Sequence, residues 1–165
     1  MRLPVIPRLA FPPPPSQVVQ RLPRILLKPM SRVPFILQRL LVEGALKHTF
    51  QEAIQDGDFE FLQGRHLKVE IRDINLHWFF SFNGRKLTVS RHARADATIS
   101  GDLREFLLLA SRREDPDTLF FQRRLNINGD TELSLEVKNM LDTIDLDNLP
   151  SPLRKGLEKA TSLLV

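Results

Sequence analysis

Two stretches of alternating apolar and polar residues meet at an Asn83-Gly84 pair near the middle of the chain. A period of two residues is typical of a β-strand with one buried face, because successive side chains point to opposite sides. Asn-Gly favours a tight hairpin turn because both residues tolerate positive φ. The pattern therefore predicts antiparallel strands at residues 67–71, 76–82 and 87–89.

Helical periodicity replaces this alternation on either side of the predicted strands. From residue 35 to 55 the apolar residues of one long predicted helix share a face, namely Ile36, Leu40, Phe50 and Ile54. The other predicted elements are a strand at Ala97 and Ile99, a helix after Asp102, a short helix capped by Asp115, a strand at Leu125 and Ile127, and helices after Asp130 and Pro152. This order predicts an α+β domain with helices laid on one side of a sheet.

Positive charge is concentrated at the start of the chain, where no acidic residue precedes Glu43 and most of the prolines lie before residue 35. We therefore predict a basic, Pro-rich arm at residues 1–34, a domain at 35–148, and an amphipathic helix at 149–165. The arm is interpreted either as a disordered or packing extension or as a contact with an anionic membrane surface. The membrane-contact residues would be Arg21, Leu22, Arg24, Ile25, Leu26 and Lys28.

Several classes of chemistry lack their residues in this sequence. The chain has no cysteine, which excludes disulfides and thiolate nucleophiles, and its four histidines fall in different predicted elements. Nucleotide-binding glycine loops and the Gly-x-Ser-x-Gly elbow are absent as well. We expect no enzyme activity, no cofactor and no metal. Nucleic-acid binding is disfavoured because the basic arm has few aromatic residues for base stacking.

No stretch of the sequence approaches the roughly 18 consecutive apolar residues that a membrane-spanning helix needs. Prolines interrupt the apolar part of the N-terminus, and no small-residue cleavage site follows it convincingly. We expect a cytoplasmic protein that attaches peripherally at the inner membrane without crossing it.

Aromatic residues are concentrated in one predicted strand and in the helices expected to cover it. Phe120 and Phe121 lie side by side, and helix geometry places neighbouring residues about 100° apart, so we expect at least one of the two rings to face something other than the main core. Arg123 and Arg124 follow directly. Two roles remain open for this arginine pair: binding an anionic headgroup, or forming ordinary ion pairs with nearby acids.

The run EDPDTLFFQRRLNINGDTELSLEVKNMLDTID, at residues 114–145, and the run DGDFEFLQGRHLKVEIRDINLHWF, at 56–79, resemble the accessory factors of ubiquinone biosynthesis within the sterol carrier protein type 2 (SCP2) lipid-binding superfamily. The resemblance implies an SCP2-like, mostly antiparallel five-stranded sheet covered by helices that enclose a hydrophobic tunnel. It also implies a non-catalytic role in oxygen-independent ubiquinone synthesis, beside the ring-hydroxylation proteins UbiU and UbiV.

On this resemblance, the tunnel would hold an isoprenoid quinone precursor or a phospholipid. We predict that the lipid contacts Trp78, Phe80, Phe82, Phe106, Phe120, Phe121, Leu125, Met140 and Leu141, with Arg123 and Arg124 near the exit. Of the two neighbouring rings, one would close the core and the other would line the tunnel. The alternative is a protein-interaction scaffold without a lipid ligand, whose apolar surfaces dock partner proteins.

Overall fold

The computed structural model of the chain describes residues 32–143 and 148–163. Its α-helices are α1 (Phe35–Thr49), α2 (Gln51–Gln55), α3 (Leu103–Ala110), α4 (Pro116–Phe121), α5 (Thr131–Thr143) and α6 (Ser151–Ser162). Its strands are β1 (Leu67–Ile71), β2 (Leu76–Phe82), β3 (Leu87–Ser90), β4 (Ala97–Gly101) and β5 (Leu125–Gly129). The predicted membrane contacts at residues 21–28 lie outside the described residues.

The five strands form one sheet in the order β3-β2-β1-β4-β5. Three of the four pairings are antiparallel, and only β1 with β4 is parallel. The predicted α+β fold with a mostly antiparallel sheet is thus confirmed. The parallel pair arises because the chain leaves β3 at one edge of the sheet and returns beside β1 in the middle.

The hairpin between β2 and β3 forms as predicted, but Asn83 does not adopt the positive φ that was expected at both turn residues. Gly84 has a φ of 86°, whereas Asn83 is not among the residues with positive φ. The side-chain oxygen of Asn83 instead accepts hydrogen bonds from the backbone N–H groups of Arg85 and Lys86, each at 3.0 Å. Asn83 therefore stabilises the turn through its side chain, as an Asx turn does.

One face of the sheet carries the main core. Leu67 in β1 lies opposite Phe80 in β2 and Ala97 in β4, so these three side chains share a face. Helices α4 and α5 contact β5, and α1 contacts β3. On the opposite face Phe79 is nevertheless buried, and its ring meets that of His77 edge-on at 5.8 Å.

The prediction of a single long helix at residues 35–55 is wrong. Phe50 leaves the helical conformation, with φ −109° and ψ 21°, and thereby separates α1 from α2. A straight helix would have placed Ile36 and Leu40 on the same side as Phe50 and Ile54. Because of the break, the last two pack against the core while Ile36 and Leu40 are 72% and 64% exposed.

The C-terminal helix α6 packs against the domain by contacting α3. Its Thr161 is fully buried and its hydroxyl donates to the carbonyl of Leu157 at 2.6 Å. Leu153 near the start of this helix is 48% exposed. Among the described residues, no helix combines the length and apolar character needed to cross a bilayer.

Candidate functional site

A cleft of about 650 Å³ opens between the junction of α1 with α2 and one side of α5. Its floor is aromatic: the buried ring of Phe59 meets Phe50 edge-on at 5.4 Å and stacks on Phe61 at 6.4 Å. Phe59 belongs to the main core cluster, and Phe50, Phe61 and Met140 pack against that cluster. The cleft floor is therefore continuous with the core, and an apolar chain entering the cleft would contact core side chains.

The rim of the same cleft is acidic. Four exposed carboxylates line it, those of Glu52, Asp56, Asp58 and Glu136. No lysine, arginine or histidine is among the lining residues, and within residues 32–143 and 148–163 none of these carboxylates makes an ion pair. The cleft thus combines an apolar floor with a negative mouth.

Thr49 adds an unusual polar group to the lining of the cleft. Its side chain lies at the end of α1 and is 8% exposed. Its hydroxyl has no hydrogen-bond partner in the part of the chain that the structure describes. A buried hydroxyl without a partner costs roughly 1–3 kcal/mol.

The nine residues predicted to contact lipid do not form one wall. Phe82 and Leu125 are buried in the core at 5% and 1% exposure. A second group is partly buried against the core: Trp78, Phe80, Phe106, Met140 and Leu141. Met140 is the member of the predicted set that lines the cleft. The lipid contacts of all nine residues stay a prediction.

The neighbouring phenylalanines of α4 differ sharply in exposure. Phe121 is 90% exposed, and Phe120 is partly buried with the ammonium of Lys138 5.1 Å from its ring centroid. The expectation that one of these rings closes the core is wrong, because the core position of this short helix is taken by Leu119 at 0% exposure. Asp115 caps α4 as predicted, accepting a hydrogen bond from the N–H of Thr118 at 3.1 Å.

The two arginines after α4 also differ. Arg124 forms ion pairs with Glu105 and Glu114, whereas Arg123 is exposed and adopts a φ of 57°. Burial alone would lower the pKa of Arg124, but the hydrogen bonds to the two carboxylates raise it above its ordinary value. Of the two interpretations, ordinary ion pairing describes Arg124. A headgroup contact by Arg123 or Arg124 stays a prediction.

A second, smaller cavity of about 320 Å³ lies at the start of α1. Arg32, Arg91 and His77 line it together with Gln38. The side chain of Gln38 accepts a hydrogen bond from the indole N–H of Trp78 at 3.1 Å and donates one to the carbonyl of Val33 at 2.8 Å. Gln38 therefore ties the start of α1 to the sheet beside a cavity that two arginines line.

Phe59 and Phe61, which line the cleft, were not among the residues predicted from the sequence. The signal that could have found them is the Phe-Glu-Phe run after Gly57-Asp58, in which two rings flank a charged residue. Within the described parts of the chain, no three His, Cys, Asp or Glu residues are arranged to hold a metal ion.

Comparisons with known proteins agree with this architecture. The model of the SCP-2 sterol transfer family matches residues 43–142. The chain is 48% identical over 142 residues to the ubiquinone biosynthesis accessory factor UbiT of Escherichia coli K12, covering 86% of this chain and 82% of the relative, and equally similar to UbiT of E. coli O157:H7.

Among solved structures, that of UbiJ-SCP2, a ubiquinone synthesis protein, matches with a TM-score of 0.55 and 20% identity, covering 68% of this chain and all of the other. At 20% identity this structural match shows the fold alone. The family is shown by the sequence match to UbiT, which covers 86% of the chain. The resemblance noted from the sequence is thereby confirmed. The chain belongs to the SCP-2 sterol transfer family and, within it, groups with the ubiquinone biosynthesis accessory factor UbiT.

Proposed function

We propose that this chain is a non-catalytic lipid-binding accessory factor of oxygen-independent ubiquinone biosynthesis. The observation that carries the proposal is the cleft whose aromatic floor continues into the core. Its volume of about 650 Å³ falls within the range typical of small-molecule sites, about 300–1,000 Å³. The name of the relatives supports the pathway, and their designation as accessory factors supports a role without catalysis.

The ligand in this proposal is a polyprenylated quinone precursor or a phospholipid, held by its apolar tail. The tail lies on Phe50, Phe59, Phe61 and Met140, where burial of apolar surface supplies the binding energy. The polar end group of the ligand lies outside the mouth of the cleft, in solvent, because the carboxylates of the mouth repel an anionic headgroup. The protein then presents this end group to the ring-modifying proteins, for which UbiU and UbiV are the proposed partners.

Contact with the membrane surface is the second part of the proposal, and α1 supports it. Four large apolar side chains of α1 are between 51% and 72% exposed, namely Ile36, Leu37, Leu40 and Leu41. The one acidic residue of the helix, Glu43, binds β3 and Arg39. An outward apolar face flanked by Arg32 and Arg39 suits a helix that lies in the interface of an anionic bilayer.

Lipid extraction from vesicles tests the proposed function. The full chain is incubated with vesicles that contain a polyprenylated phenol, separated from them, and assayed for bound phenol. Asn139→Trp places an indole in the cleft from an exposed position of α5, so it is expected to reduce the extracted amount several-fold. Leu135→Trp is the matched control, since Leu135 is exposed on the same helix and does not line the cleft.

If the unmodified chain extracts no more phenol than a protein-free blank, lipid binding is overturned. Equal extraction by both tryptophan variants would overturn the assignment to this cleft. Thermal unfolding of both variants establishes that they fold. A chain that takes up no lipid but still binds other ubiquinone-biosynthesis proteins would be a protein-interaction scaffold. In that case the partner proteins would dock on the exposed apolar face of α1.

A further inference from the structure

The acidic rim of the cleft favours a binding partner that carries positive charge. Its four carboxylates come from three places in the fold: α2, the loop after it, and α5. Like charges gathered around one opening repel each other, and that repulsion is relieved when several cations are placed among them. A molecule with cations spaced along its length fits this rim better than one with a single charge.

The floor of the cleft defines the rest of the complement. The rings of Phe50, Phe59 and Phe61 favour apolar side chains between the cations, because such side chains would be buried against them. A basic, apolar peptide segment supplies both kinds of group.

This chain contains such a segment in residues 1–31. It carries five cations and no acid: Arg2, Arg8, Arg21, Arg24 and Lys28. In its last part, VVQRLPRILLK at residues 18–28, aliphatic side chains separate the cations, so apolar and basic groups alternate over a short length. The charge and the apolar content of the segment are therefore complementary to those of the cleft.

The position of the segment in the chain allows it to reach the cleft. The segment joins α1 at its start, whereas the cleft begins at Thr49, where α1 ends. The 15 residues of α1 span roughly 22 Å at 1.5 Å per residue. Twelve extended residues reach about 40 Å, so residues around Gln20 can return along the full length of α1.

We propose that the acidic cleft is the docking site for the basic N-terminal segment of the same chain, with residues 18–28 as the stretch that binds. Covalent attachment favours this occupant over any free peptide, because it raises the local concentration of the segment to the millimolar range. The docking itself does not depend on lipid binding, and its test contains no lipid.

Disulfide trapping in the full-length chain tests the proposal. The natural sequence has no cysteine, so Gln20→Cys combined with Asn139→Cys leaves one possible intramolecular bridge. The control pairs Gln20→Cys with Arg85→Cys in the exposed β2–β3 turn. Because the neighbouring Lys86 contacts Glu43 in the middle of α1, this turn is well within reach of the segment. The rate of bridge formation under mild oxidation is measured by non-reducing electrophoresis.

Docking predicts that the cleft pair closes about tenfold faster than the control pair, since the segment is concentrated at the cleft. Adding Glu52→Gln and Glu136→Gln to the cleft pair is expected to slow its closure several-fold, as is high salt. Equal rates for the two pairs, or no effect of the charge substitutions, overturn the proposal. Bridges that form only between two chains overturn it as well, because they assign the cleft to the segment of a second copy.

Discussion

The carboxylate of Glu43 in α1 accepts a hydrogen bond from the backbone N–H of Val89 in β3, at 2.9 Å. Strand β3 is an edge of the sheet, and edge strands present unpaired N–H groups that invite association with other chains. Arg39 and Lys86 also bind this carboxylate, at 2.9 and 3.2 Å. Glu43 thus fastens the helix that bears the exposed apolar face to an otherwise open edge of the sheet.

Acid is predicted to weaken this connection. Burial alone would raise the pKa of Glu43, but the hydrogen bonds from Val89, Arg39 and Lys86 hold it below its ordinary value of 4.5. Because the folded pKa lies below the unfolded one, the stabilisation is complete above pH 4.5 and is lost as pH falls through the folded pKa. Glu43→Gln is expected to lower the free energy of unfolding at pH 7 by about 1–2 kcal/mol.

The same substitution is expected to flatten the loss of stability in acid, as measured by urea unfolding between pH 7 and pH 3. Glu158→Gln is the control, because the side chain of Glu158 is 68% exposed and its ion pair with Arg154 is long, at 4.0 Å. A Glu43→Gln curve that runs parallel to that of the unmodified chain would contradict the role assigned to this carboxylate.

Neighbouring arginines provide the second prediction. Arg124→Met leaves Glu105 and Glu114 without their cation, and the Glu105 side chain is only 13% exposed. We expect a loss of about 2 kcal/mol in unfolding free energy, since removing one partner strands a partly buried charge. Arg123→Met, at an exposed position, is expected to stay within about 0.5 kcal/mol. Equal losses in denaturant unfolding would show that the ion pairs contribute nothing.

Helix α4 gives a third prediction. Leu119→Ala is expected to cost about 2–5 kcal/mol because its side chain is fully buried, whereas Phe121→Asp should leave stability within about 0.5 kcal/mol. Chemical denaturation of both variants measures the difference. A large loss for Phe121→Asp would mean that this ring is buried in the folded protein in solution.

The exposed face of α1 gives the fourth prediction. Ile36→Ser with Leu40→Ser removes two exposed apolar side chains and is expected to weaken binding to anionic vesicles by about tenfold, with little change in stability. Leu135→Ser with Leu153→Ser is the control, because these leucines are 59% and 48% exposed on other helices. Vesicle cosedimentation compares the two pairs, and equal weakening would remove α1 from the membrane contact.

Local patterns made most of the fold predictable. Alternation identified β1, β2 and β3, and Asp115-Pro116 marked the start of α4, because each of these signals depends on a few neighbouring residues. The break at Phe50 was not predictable in this way. It is favoured by a tertiary contact, the packing of the Phe50 ring on Phe59, which no periodicity within the helix itself reveals.

The candidate site was harder to predict for the same reason. The lipid contacts of the aromatic residues in β2 stay a prediction; in the structure Phe82 is buried in the core and Trp78 donates a hydrogen bond to Gln38. The cleft lies where α2 and its following loop approach α5, and that approach joins residues about 80 positions apart, such as Phe59 and Met140. The spacing of residues along the sequence does not reveal such a tertiary contact.

Native mass spectrometry of the purified full-length chain, with extraction and identification of any bound molecule, tests lipid binding most directly. We predict a species heavier than the bare chain by one isoprenoid or phospholipid molecule, which exchanges when the protein is incubated with vesicles containing a polyprenylated phenol. A chain that appears only at its bare mass, both as purified and after that incubation, would contradict lipid binding and leave a protein-interaction scaffold as the function.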